Sequence, residues 1–263
     1  MRDVAFWPRA FLDEIEQAQV GATPVLWALG GPSFLYRSAT TTIWIDPYFG
    51  GTPDDAVADA YRATAIPVNP EEIRAADIVI STHDHVDHCH EGTVMPIVAN
   101  TDAYCLAPRT SATLMRGWGV PEGRIHEVGP GGKVELRDVR ISVHGAADPG
   151  EPGAVTYLID SGGATLFVSG DTARCPALAE VGARRPDYAL LAFGRTWYMS
   201  EADMLAAAGD LAPGTLLPFH WEFWRNHTGD VAHLLELYHR DRPPFALKIL
   251  LVGDSLALTP REN

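Results

Sequence analysis

"STHDHVDHCHEG" (residues 81–92) holds four of the chain's ten histidines, His83, His85, His88 and His90, with Asp84 and Asp87 between them. Imidazoles packed this closely repel one another once protonated, so the cluster calls for a cation. In an extended loop, side chains at i and i+2 point the same way. His83 and His85 can therefore grip one ion, while Asp87 and His88 can turn toward a second beside it. Neutral imidazole and ionised carboxylate suit divalent zinc, manganese or iron. The run follows "ADIVI" (76–80), which reads as a buried strand, and a strand end is where a rigid scaffold presents functional side chains.

Two more polar residues stand at the ends of apolar runs: Asp171 after "TLFVSG" (165–170) and His220 after "TLLPF" (215–219). Taken singly, Asp171 reads as a turn aspartate and His220 equally well as a core histidine. Short strands alternate with helices throughout. "PVLWALG", "SFLYRS" and "TTIWID" read as consecutive strands, and "DAYCLA" as another. "KVELRDVRISVHGA" and "AVTYLIDSGGATLFVSGD" read as strand pairs, the second turning at Ser161-Gly162-Gly163. "YALLAFG" and "TLLPFH" are buried strands separated by a helix from about Ser200 to Leu211, and "ALKILLVG" and "SLALT" close the chain. A helix near "RTSATLMRGWG" ends at Gly117 and Gly119. Val231, Leu234, Leu235 and Tyr238 recur as one apolar helix face. "GGTPDDAVADAYRATAIPVNP" is a polar excursion, a loop with a short helix. Two packed sheets with helices outside can bring the three polar sites to one edge.

The 263 residues suffice for a real core, and 46% hydrophobic with 21% charged residues is ordinary for a globular chain. A net charge of −14 disfavours nucleic acid and anionic membranes as partners. No apolar run reaches the ~20 residues of a bilayer span, and "MRDVAFWPRAFLDEIEQ" lacks a signal peptide's apolar centre. Three scattered cysteines, Cys89, Cys105 and Cys175, point to a reducing cytoplasm rather than a disulfide framework. A small-molecule substrate is expected, and a homo-oligomer is compatible with the sequence.

"HDHVDH" (83–88) resembles the H-x-H-x-D-H signature of the metallo-β-lactamase superfamily. "WALGGPSFLYRS" and "WIDPYFG" are similar to its opening strands, "FVSGDT" to the strand ending in its bridging aspartate, and "LLPFHWEFW" to its last ligand strand. "WGVPEGRI", "AVTYLID" and "SEADMLAAAGDLAPGTLLPFHWEFWRN" resemble its L-ascorbate-6-phosphate lactonase-like branch. The resemblance implies an α+β fold, an αββα sandwich of two mixed sheets, with residues 1–263 as one domain. It implies a first metal on His83 and His85, a second on Asp87, His88 and His220, and Asp171 bridging both. Many members carry a histidine about nine residues before a tyrosine like Tyr157. Here that register holds Asp148, favoured as the remaining first-site ligand, and His144 stays open as the alternative. Asp46 in "WIDPYF" is expected to support the ligands, whereas His90 has no place in the pattern.

The resemblance further implies a hydrolase in which two divalent ions, manganese or zinc before iron, activate a water that Asp87 orients. The substrate is then a sugar-acid lactone, phosphorylated or not, with a phosphodiester or amide as the alternative. Iron redox chemistry and a catalytically silent metal sensor are the readings from other classes. Arg195, whose guanidinium suits an anionic substrate group, is expected in the pocket with Tyr198, Trp224 and Asn226.

Overall fold

The computed structural model describes residues 6–50, 62–148, 150–194, 199–225 and 229–261. Thirteen strands run in chain order through two sheets and a fourteenth returns to the first. They are β1 (Val25–Gly30), β2 (Ser33–Arg37), β3 (Thr42–Ile45), β4 (Ile78–Ile80), β5 (Tyr104–Pro108) and β6 (Ile125–Val128). There follow β7 (Lys133–Leu136), β8 (Val139–Gly145), β9 (Val155–Asp160), β10 (Thr165–Val168), β11 (Tyr188–Ala192), β12 (Thr215–Phe219), β13 (Ala246–Leu247) and β14 (Ser255–Ala257). The first sheet has the order β14-β1-β2-β3-β4-β5-β6 and the second β13-β12-β11-β10-β9-β8-β7. Both mix parallel and antiparallel pairs.

Period-two alternation explains the layers. In β4, Ile78 and Ile80 enter the core between the sheets, and Val79 faces the outer helices. In β11, Leu190 and Ala192 face inward, and Ala189 and Leu191 outward. Strands covered on both faces therefore read as unbroken apolar runs. Helices α1 (Arg9–Gln17), α2 (Glu91–Asn100) and α3 (Arg109–Trp118) belong to the first sheet's outer layer. Helices α4 (Pro176–Gly182), α5 (Glu201–Leu211) and α6 (Val231–Asp241) belong to the second's. This is the αββα sandwich expected from the sequence.

Several elements differ in detail. Gly117 lies inside α3, and Gly119, at φ +96°, makes the left-handed cap. The buried face of α6 centres on Leu234 and Leu237, while Leu235 is 37% exposed. The Tyr238 hydroxyl donates to the Phe245 carbonyl at 2.7 Å, which ties that flank to the following turn. The expected strand "ALKILLVG" pairs only over Ala246–Leu247. Residues 51–61 of the polar excursion, and with them much of the stretch expected to hold a short helix, lie outside the described residues; residues 62–69 hold no helix, and a single 3₁₀ turn, Pro70–Glu72, follows them.

The parallel register sets the site. Ile45 pairs with Ile80 and Ala192 with Phe219, so the C-terminal ends of β3 and β4 share one rim, as do those of β11 and β12. Loops beyond the carboxyl ends of parallel strands are the usual place for a site in sheets of this kind.

Candidate metal centre

The motif loop is fixed from below. Asp46, just past β3, is 1% exposed and has φ +41°. Its carboxylate accepts from the Thr82 amide (2.8 Å) and the Thr82 hydroxyl (2.7 Å), and lies 2.7 Å from His88 Nδ1. Ser81 Oγ donates to the His83 carbonyl at 2.8 Å, and Tyr157 OH to the Ser81 carbonyl at 2.9 Å. The amides of His88 and Cys89 both return to the His85 carbonyl, closing a tight turn inside the motif. Gly170, at φ +55°, lies directly against Thr82: a Cβ there would stand 2.7 Å from Thr82 Oγ1. Only glycine lets the β10 end approach so closely. His220 itself is held at φ +70°, an uncommon conformation for a side-chain-bearing residue, of the kind that marks functional sites.

These constraints bring seven expected residues together. Potential ligand atoms of His83, His85 and Asp148 lie within 4.8 Å of one another, as do those of Asp87, His88 and His220. His83, His88 and Asp171 form a third, overlapping group. Asp171 Oδ2 is 3.3 Å from His88 Nε2 and 3.9 Å from His83 Nε2, and its Oδ1 is 3.8 Å from His220 Nε2. His220 Nε2 lies 3.1 Å from Asp87 Oδ2. His83, His88 and His220 are fully buried, whereas His85 is exposed.

The donor set fits a divalent cation. His83 Nε2 and His85 Nδ1 face each other at 2.9 Å, and the Nε2 atoms of His88 and His220 at 3.3 Å. Ring nitrogens aimed at each other need a proton or a metal between them. Asp171 Oδ1 is buried without a hydrogen-bond partner, an arrangement that costs free energy unless a ligand meets it. Charges are strongly interdependent here. Burial alone would raise the Asp171 carboxyl, but His88 and His220 outweigh it and bring it to about 2. Burial lowers His88 and His220, yet Asp171 and the neighbouring carboxylates raise both overall. For His83, burial and then His88 lower the pKa well below the usual value.

His144 is turned away from these groups. Its Nε2 lies 3.2 Å from Ser142 Oγ, and burial followed by Arg184 lowers its pKa. His90 Nδ1 meets Thr93 Oγ1 at 2.9 Å at the start of α2, and its ring packs edge-on to Tyr48. Trp224, expected on the substrate, is 4% exposed and donates its indole N–H to Asp87 Oδ2 at 3.3 Å. The Phe223 and Tyr48 rings against which it packs hold it down. Arg195, Tyr198 and Asn226 lie outside the described residues. Thr82 carries much of the support and left no signal in the sequence, because buried partners of this kind have no spacing rule.

Asp46→Asn should cut metal affinity roughly 10–100-fold, the usual effect of removing a carboxylate that orients a ligand histidine. Titration of the apoprotein with zinc checks this; unchanged affinity would make Asp46 a support of the fold alone.

The family profile described as "Beta-lactamase superfamily domain" matches residues 41–221, from β3 to just past His220. A probable L-ascorbate-6-phosphate lactonase of Escherichia fergusonii is 29% identical, over 92% of this chain and 82% of its own length. Among solved structures, an isothiocyanate hydrolase from Delia radicum gut bacteria superposes with a TM-score of 0.74 at 19% identity, over 89% of this chain and 99% of the other. Igni18, a metallo hydrolase of the archaeon Ignicoccus hospitalis, gives a TM-score of 0.71 at 19% identity, over 89% and 97%. With its sandwich and its histidine–aspartate rim, the chain belongs to the β-lactamase superfamily, a superfamily of metal-dependent hydrolases.

Proposed function

We propose that this enzyme opens a lactone of a sugar acid with a dinuclear centre of manganese or zinc. One observation carries the dinuclear reading: the ligand set divides into His83, His85 and Asp148 on one side and Asp87, His88 and His220 on the other, with Asp171 facing both. Lactone chemistry is supported by the similarity to the Escherichia fergusonii protein and its named activity. When bound, the metals supply Lewis acidity and bring the pKa of a water toward neutrality.

The chain's own groups do the rest. Asp87 Oδ2 accepts from the Trp224 indole and faces the metal side beside His220, which leaves Oδ1 to take a proton from the attacking water. Water oxygen bonds to the lactone carbonyl carbon, the ring C–O bond breaks, and the proton held by Asp87 passes to the departing ring oxygen. The product is the open hydroxy acid. Asp84 and Glu151 face each other beside His85 and Asp148, and burial followed by Asp84 raises the Glu151 carboxyl. A phosphoryl group on the substrate belongs on the opposite flank. Arg195, Tyr198 and Asn226 are proposed as substrate contacts. Residues 1–263 are read as one domain and the cytoplasm as its location; no helix among the described residues is long and apolar enough to cross a membrane.

A screen of lactones, sugar phosphates, cyclic nucleotides and amides, each with manganese, zinc and iron, tests the function. Highest kcat/KM on a lactone supports it. Turnover of phosphodiesters or amides without lactones moves the substrate class, and no turnover of anything favours a silent metal-binding protein.

A further inference from the structure

A buried indole N–H needs a hydrogen-bond partner, and a backbone carbonyl usually supplies it. Trp224 uses a carboxylate oxygen of the centre instead, Asp87 Oδ2, at 3.3 Å. The same oxygen is 3.1 Å from His220 Nε2, so it stands between the indole and the His220 imidazole, and the indole N–H is the donor to it.

The segment carrying Trp224 is itself clamped. Arg62 is buried, and its guanidinium carbon sits 4.5 Å above the centre of the Phe223 ring. It donates to the Tyr48 carbonyl at 2.8 Å, while the Ala63 amide donates to the Phe223 carbonyl at 2.7 Å. Arg62 and Trp224 are also paired by an antiparallel bridge. Phe223 in turn packs against Trp224 with ring centres 4.5 Å apart. Below it, Gly31 at φ +59° leaves the necessary room, since a Cβ there would stand 2.5 Å from the ring. Burial lowers the Arg62 guanidinium to about 10. Sinking a charge this deep is costly. The cost secures a short segment that reaches the centre through the Trp224 indole.

We propose that Trp224 is a positioning residue: its N–H orients the Asp87 carboxylate for the Asp87–His88–His220 half of the centre, and Arg62 holds Trp224 there through Phe223. The proposal rests on the reading of Asp87 as a metal ligand. Two arms separate their failures. The apoproteins of wild type, Asp87→Asn, Trp224→Phe and Arg62→Lys are titrated with zinc and manganese, and metal per chain is measured after gel filtration. Asp87→Asn should lose one equivalent, which identifies the equivalent concerned. Trp224→Phe should bind that equivalent roughly 10–100-fold more weakly and leave the other within twofold. Arg62→Lys should shift the same equivalent in the same direction by less. With metal saturating, Trp224→Phe should lose kcat with little change in KM. Two retained equivalents in Asp87→Asn would overturn the ligand reading and this inference with it. Loss in Asp87→Asn beside wild-type binding in Trp224→Phe, or equal weakening of both equivalents, would overturn the inference alone. Should the Phe variant not fold, 3-benzothienylalanine in place of Trp224 keeps the ring shape without the N–H and carries the same comparison.

Discussion

Asp171→Ala loses both metal ions and, with them, hydrolysis: the expected fall is three orders of magnitude or more, about 4 kcal/mol of transition-state stabilisation. No other single ligand substitution should match it. Among the described carboxylates, Asp171 directs its oxygens toward imidazoles of both halves, with Oδ2 near His83 and His88 and Oδ1 near His220. Its Oδ1 is buried without a hydrogen-bond partner, as an oxygen that awaits a cation would be. His220→Ala, by contrast, takes a ligand from one half only and should leave one ion in place. The fold should survive the aspartate change, because the residue follows β10 rather than sitting in its ladder. Mass-spectrometric metal content and the melting curve of the apoprotein read the two effects separately. Two tightly held ions in Asp171→Ala would exclude the bridging role.

The sandwich was legible in this sequence because its strands are covered on both faces. "ADIVIS" and "YALLA" read as apolar runs between turn signals, and the first runs directly into the histidine motif. Dense histidine spacing carried the motif without any need for depth information. Other elements were hidden for physical reasons. Helix α2 contains Pro96 and has weak amphipathic patterning, so neither propensity nor period announces it. Strand β6 is a four-residue edge with two exposed positions, too short and too polar to stand out. Trp224 shows the limit at the site. An aromatic near a ligand histidine reads as a pocket wall, and only the packing of Arg62 and Phe223 turns its indole inward toward Asp87. Thr82 is similar: a hydroxyl beneath the motif gains meaning once Asp46 and Gly170 are placed around it.

Asp148→Ala should weaken the first-site metal at least ~100-fold, more than loss of an outer partner costs, while sparing much of the second. The register of the chain leaves Asp148 and His144 as alternatives, and their surroundings support Asp148. Asp148 approaches His83 and His85 with ligand atoms within 4.8 Å, and the Gly150 amide donates to its Oδ1 at 2.8 Å, fixing its direction. His144 remains in β8 with its ring nitrogen on Ser142. His144→Ala should therefore leave both ions bound. If Asp148 and Asp171 both serve the first site, its ligands would be two carboxylates and two imidazoles, a set kinder to manganese than an all-imidazole site. Zinc still binds more tightly in absolute terms, so the expectation concerns relative preference and activity. Asp148→His, which restores the commoner ligand, should shift that preference from manganese toward zinc. Loss of the first metal in His144→Ala with full occupancy in Asp148→Ala would reverse the assignment. His85 is exposed while His88 and His220 are fully buried. A mild chelator should accordingly strip the first site before the second, and in Asp148→Ala that order should persist at a lower chelator concentration.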